Sequence, residues 1–143
     1  HVVAMFAPSF FTGSLIQRFG IIKILSAGLL AYIIAIVMAL AGDTFTHYFT
    51  ELFLLGLGWN FLYIGGSTLV ARVATAEERG RVQGAADLAT TSLVALASLT
   101  AGGLHSQFGW DVLVLSGCVP IGILACALVW FGFHQKRASL AAS

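Results

Sequence analysis

Long apolar runs alternate with brief polar links along most of the chain. Four runs reach the ~20 mostly apolar residues that a membrane-crossing helix needs: residues 24–42, 48–73, 87–104 and 112–133. A fifth, residues 1–16, is short and starts within apolar sequence, which reads as the cut end of a span in a longer protein. The links are QRFGIIK, DTFTH, ATAEERGR and HSQFGWD. Links this short turn each helix back beside its predecessor, so the pattern predicts an all-α membrane protein, a helical bundle of antiparallel spans. Pro8 and Pro120 lie inside apolar runs, and each removes a backbone bond and predicts a kink. Thr75-Ala76-Glu77-Glu78 fits a capping box, which predicts a helix starting near Ala76.

Composition strengthens this reading. The 143 residues are 59% hydrophobic and only 9% charged, against roughly 25% charged in a soluble domain. Mean hydropathy is +0.95. The net charge of +1 supports no nucleic-acid partner; the lipid bilayer is the expected surrounding. Cys118 and Cys126 both sit in one apolar run, and no His/Cys spacing suggests zinc, so neither metal nor cofactor is expected.

The placement of charge orients the bundle. All seven basic residues lie in alternate links: Arg18 and Lys23, then Arg72, Arg79 and Arg81, then Lys136 and Arg137 in the tail 134–143. Positive charge marks the cytoplasmic side, so these links and the C-terminus are expected there, with His47 and His105 on the opposite face. Trp110, Tyr48 and Trp130 fall near span ends, where aromatic belts form.

Polar groups on apolar helices tend to face a bundle interior or a water-filled path. Asn60, Tyr63 and Ser67 recur at helical spacing, with Trp59 beside them, and are candidate lining of a substrate cavity. The alternative for the same residues is hydrogen bonding between helices, worth about 1 kcal/mol or less per contact. Gly56, Gly58, Gly65 and Gly66 on that helix suit close packing or bending. Ala97 with Ala101, and Ser98 with Gly102, form small-xxx-small pairs. Glu51 and His1 are candidate proton sites, Glu51 also being free to snorkel to water. Arg79, Arg81 and Asp87 are candidate partners at an inner gate, with Asp87 near the cytoplasmic interface. No catalytic constellation is visible, and an enzyme is not expected.

The link GSLIQRFGIIK resembles the loop signature of the major facilitator superfamily. That signature reads glycine, three residues, an acid, a base, any residue, glycine, any residue, then two bases. Gly13, Arg18, Gly20 and Lys23 match, while Gln17 stands for the acid and Ile22 for one base. HVVAMFAPSFFTG, GWNFLYIGGSTL and RVQGAAD are similar to the eighth, tenth and eleventh helices of a bacterial branch of this family. The resemblance spans the chain. It implies part of the C-terminal six-helix half of a secondary transporter, from part of helix eight to helix twelve, with the N-terminal helices of the same protein completing it. It implies alternating access for a small-molecule solute, with protons as a candidate coupling ion, in the cell membrane. Helices eight, ten and eleven would face or flank the cavity, and Gly13, Gln17, Arg18, Gly20 and Lys23 would form the gating loop. Gln17 cannot supply the charge of the usual electrostatic latch. Gly13 is expected to allow close helix approach, and Arg18 to reach helix-end carbonyls, Glu77, Glu78 or Asp87. A non-transporting helical scaffold or assembly subunit is the alternative function.

Overall fold

The computed structural model describes residues 1–42 and 44–141, with side chains described as far as His134. Asp43, and the side chains of the basic tail at Lys136 and Arg137, lie outside the described residues. Six helices follow one another: α1 (Val2–Phe6), α2 (Ser9–Phe19), α3 (Ile21–Ala41), α4 (Phe45–Val73), α5 (Arg79–Ser116) and α6 (Cys118–Ala141). Three stretches are long and apolar enough to cross a membrane: Ile21–Ala41, Phe45–Val73 and Arg79–His134. The last has 56 residues, about 84 Å as straight helix, against a hydrocarbon core of about 30 Å. It reverses inside α5 at Gly109, whose φ of 83° is a backbone state that a side chain resists.

The kink expected at Pro8 is present. Proline has no amide hydrogen, and α1 and α2 are separate helices meeting at Ala7–Pro8. Pro120 differs: it stands in the first turn of α6, and the interruption lies before it, at Gly117. The helix after the third link begins at Arg79, later than the capping box suggests. The Thr75 hydroxyl oxygen accepts the Glu78 amide at 3.3 Å, but the Glu78 carboxylate takes the Thr75 hydroxyl at 2.8 Å instead of its backbone amide. That bond closes a local turn over Ala76–Glu78 ahead of the helix.

Helix direction can be read from contacts. Leu25 meets Gly65, Gly28 meets Leu62, and Tyr32 meets Gly58, so α3 and α4 run antiparallel. Residues early in α1 meet α4 in ascending order, His1 at Leu52 and Phe6 at Trp59, so these run parallel. Trp110, just past Gly109 in α5, reaches Ala39 at the end of α3, and Leu128 of α6 packs near the start of α3, so the chain after Gly109 runs back along α3. This is the antiparallel order that short links impose.

In lipid, helices attract through close packing and hydrogen bonds, since the surrounding tails are as apolar as leucine. The α3–α4 seam uses small residues. Gly28, Ala31, Ala35 and Ala39 form a buried stripe on α3. A methyl added at Gly58 would lie 2.8 Å from the Tyr32 ring and 3.0 Å from the Gly28 carbonyl. One at Gly56 would lie 2.7 Å from the His1 carbonyl and one at Gly65 2.6 Å from Leu25. Ile16, Ile21, Ile24 and Leu25 fill the angle between α2 and α3, with Leu62 and Leu128 packed against them.

A methyl on Gly13 or on Gly102 would meet nothing within 4 Å among the described residues. α5 buries no residue among those described, and its small-residue pairs lack a neighbouring helix in this chain.

Candidate functional site

The groove of interest lies between α4 and α5. Its volume is about 330 Å³, and its walls include Trp59, Tyr63, Ser67, Gln83, Asp87 and Thr90. Three of the four residues singled out on the tenth-helix sequence are therefore together: Trp59, Tyr63 and Ser67. Gly66, where an added methyl meets nothing, opens the wall between them.

Asn60 lies elsewhere. It is 0% exposed and does not line the groove. Its amide nitrogen donates to the Met5 carbonyl at 2.6 Å and to the Ser9 hydroxyl at 2.7 Å, and its oxygen accepts the Thr12 hydroxyl at 2.6 Å. The same Thr12 proton also has the Pro8 carbonyl at 2.8 Å. The break at Pro8 explains the site: carbonyls at the end of α1 lack amides from a following turn, and Asn60 supplies one donor. This is the helix-to-helix bonding alternative, realised between α4 and the α1–α2 break.

The polar centre of the groove is Asp87. Its Oδ1 accepts the Tyr63 hydroxyl at 3.2 Å and the Gln83 side-chain amide at 3.1 Å. The same Gln83 nitrogen lies 3.3 Å from the Ser67 hydroxyl oxygen. Asp87 stands eight residues past the first residue of α5, about 12 Å along the axis. Tyr63 stands ten residues before the end of α4, about 15 Å along that one. The carboxylate is thus well inside the pair of helices rather than at their ends. Arg79 and Arg81 are exposed, and among the described residues neither bonds Asp87. Within the described residues the partners of Asp87 are Tyr63 and Gln83.

Gln83 was not picked out by the sequence. Its signal was its spacing of four from Asp87, one helical turn, which puts two polar groups on the same face. Ser9 and Thr12 have the same kind of signal at a spacing of three, opposite Asn60.

An aromatic platform completes the groove. The Trp59 and Tyr63 rings are stacked, with centroids 4.7 Å apart and planes 7° from parallel. The Phe6 ring meets Trp59 edge-on at 5.9 Å, so α1 braces the platform from behind.

The remaining candidates are dispersed. Glu51 lines a separate, largely apolar crevice of about 320 Å³ between α3, α4 and α6, which Tyr32 also lines. The His1 ring nitrogen lies 2.9 Å from the Leu52 carbonyl. In the loop between α2 and α3, Gly20 carries φ +90° and makes the reversal. Gln17, Arg18 and Lys23 are exposed, and the Arg18 guanidinium sits 5.4 Å from the Phe19 ring centroid rather than on an acidic partner.

The family profile described as Major Facilitator Superfamily matches residues 1–142. The chain belongs to this superfamily. It is a multi-pass, all-α membrane protein of that fold. It is 46% identical over 113 residues to the riboflavin transporter RfnT of Brucella anthropi, covering 79% of this chain and 28% of that protein. It is 32% identical over 136 residues to the uncharacterized MFS-type transporter YdeG of Bacillus subtilis, covering 91% of this chain and 31% of the relative. The uncharacterized MFS-type transporter YddS of the same organism is 28% identical over 133 residues, covering 92% and 30%. The chain thus spans about three tenths of the length of these curated relatives. No solved structure matches it.

Proposed function

We propose that this chain is the C-terminal part of a secondary transporter that moves a small organic solute across the membrane by alternating access. The observation that carries the reading is the superfamily match along residues 1–142, on a chain whose one aromatic and polar groove lies between α4 and α5 among the described pockets. In this reading the groove is one wall of the solute path, and the N-terminal helices of the full protein form the other. The protein is a carrier and not an enzyme. It resides in the cytoplasmic membrane with its C-terminus inside, as the seven basic residues at alternate links support. The link around Arg18 and Gly20 turns the chain at the inner face without an electrostatic latch, since Gln17 is uncharged.

The relative named as a riboflavin transporter makes riboflavin the first solute to test. The full-length protein, reconstituted in proteoliposomes, is expected to accumulate riboflavin above empty vesicles, and a dependence of uptake on an imposed pH gradient would identify proton coupling. A screen of riboflavin, sugars, organic anions and amphiphilic drugs that yields no uptake would overturn the carrier reading in favour of a helical scaffold.

A further inference from the structure

The groove between α4 and α5 has a chemistry that selects among solutes. Its flat surface is made by the protein's own rings: Trp59 and Tyr63 are parallel at 4.7 Å, and the Phe6 ring meets Trp59 from another side. Tyr63 remains 38% exposed. One of its faces is covered by Trp59, so an incoming ring has the other. A platform fixed in advance costs a ligand little ordering, and stacked aromatic faces add attraction beyond buried area.

The edge of the platform offers acceptors. Asp87 Oδ1 takes both internal bonds, from Tyr63 and Gln83, and Oδ2 takes none among the described residues. These bonds measure 3.2 and 3.1 Å; the first is longer than the roughly 2.5–2.7 Å of a strong hydroxyl bond to a carboxylate. A solute N–H or O–H can therefore join or replace them at little loss. The side-chain carbonyl of Gln83 is likewise without a bond among the described residues. Among the described residues no Lys, Arg or His lines the groove, and Asp87 is its one formal charge.

We propose that this groove binds a flat heteroaromatic solute, its ring laid on Tyr63 and its N–H or O–H edge on Asp87 and Gln83, and that Asp87 turns away anionic derivatives of the same ring. The proposal deepens the transport reading and rests on it for the groove's place in the solute path. A second negative charge in the same open groove as the Asp87 carboxylate, which no cation offsets there among the described residues, is repelled, whereas a neutral ring meets only acceptors that it can satisfy.

The test uses the full-length protein with two probes, riboflavin and its phosphate ester, which share the ring and differ in charge. Uptake into proteoliposomes and direct binding to the detergent-solubilised protein are both measured. The expected result is transport of riboflavin with at least tenfold discrimination against the ester. Tyr63→Leu should raise the riboflavin KM about tenfold, the range of a lost stacking contact, while Tyr63→Phe, which keeps the ring, stays within threefold. Asp87→Asn should shrink the discrimination ratio at least fivefold, a change that loss of fold alone does not produce. Riboflavin transport that is indifferent to Tyr63→Leu, or a discrimination ratio unmoved by Asp87→Asn, overturns the proposal and leaves the carrier reading standing. Ring-dependent binding without uptake overturns the carrier reading alone. Absence of both binding and uptake of riboflavin overturns the proposal, while the carrier reading falls only if the wider solute screen also yields no uptake.

Discussion

Asn60→Leu isolates the bonding at the α1–α2 break. The substitution keeps a similar volume and removes three hydrogen bonds, to the Met5 carbonyl, the Ser9 hydroxyl and the Thr12 hydroxyl. Interhelical bonds in membrane proteins average about 0.6 kcal/mol each, so three sum to about 2 kcal/mol. The Thr12 proton retains the Pro8 carbonyl at 2.8 Å, which limits its share. The Met5 carbonyl and Ser9 hydroxyl lose a donor at a part-buried seam, which pushes the total upward. The assay is reversible unfolding of the full-length protein in detergent micelles, with Thr100→Val as control. Among the described residues Thr100 bonds carbonyls of its own helix, at Leu96 and Ala97, and its loss should cost under about 0.5 kcal/mol. A double-mutant cycle with Thr12→Val should give a coupling of roughly 0.6 kcal/mol, with about 1.7 as the upper end. Unchanged stability in Asn60→Leu would refute the reasoning. So would strict additivity with Thr12→Val, which would mean that the 2.6 Å contact carries no energy.

Three further expectations follow from the packing. Gly58→Ala forces a methyl against the Tyr32 ring and the Gly28 backbone and should destabilise by about 1–3 kcal/mol; Gly66→Ala meets nothing, so equal losses in the two variants would contradict the close α3–α4 seam. Gly20→Ala should cost about 1–3 kcal/mol, because φ +90° with ψ 151° is a backbone state nearly confined to glycine. Gly13→Ala, on an exposed helical face, should instead stabilise by about 0.5–1 kcal/mol, and the two unfolding midpoints should move in opposite directions. In full-length protein lacking Cys118 and Cys126, Tyr63→Cys should react with a small water-soluble thiol reagent at least tenfold faster than Asn60→Cys, since Tyr63 is 38% and Asn60 0% exposed; equal rates would remove the groove assignment.

Much of the architecture follows from local pattern. Long apolar runs become helices because backbone polar groups in lipid must be satisfied internally. The brief links force antiparallel neighbours, and Gly20 and Gly109 sit at reversals that a side chain resists. Pro8 interrupts its helix wherever that helix is placed, since the missing amide is a property of the residue. Small residues on α3 and α4 announced a close seam without naming its register.

Tertiary structure decided which polar residue faces what. Asn60 and Ser67 are seven residues apart, nearly two helical turns, and share one stripe of α4 about 10 Å apart in height. At the height of Asn60 the stripe meets the opened carbonyls and hydroxyls of α1 and α2; at the height of Ser67 it meets Gln83 of α5. Periodicity gives the angle around a helix and says nothing of the neighbour present at each level. Asp87 followed the same rule: from sequence it paired as easily with nearby arginines, yet the reach of α5 along α4 set it beside Tyr63. The sequence alone determined that the chain forms apolar helices and which residues are able to bond in lipid. Which of those residues became structural ties and which lined a groove was set by the side-by-side heights of helices far apart in the chain.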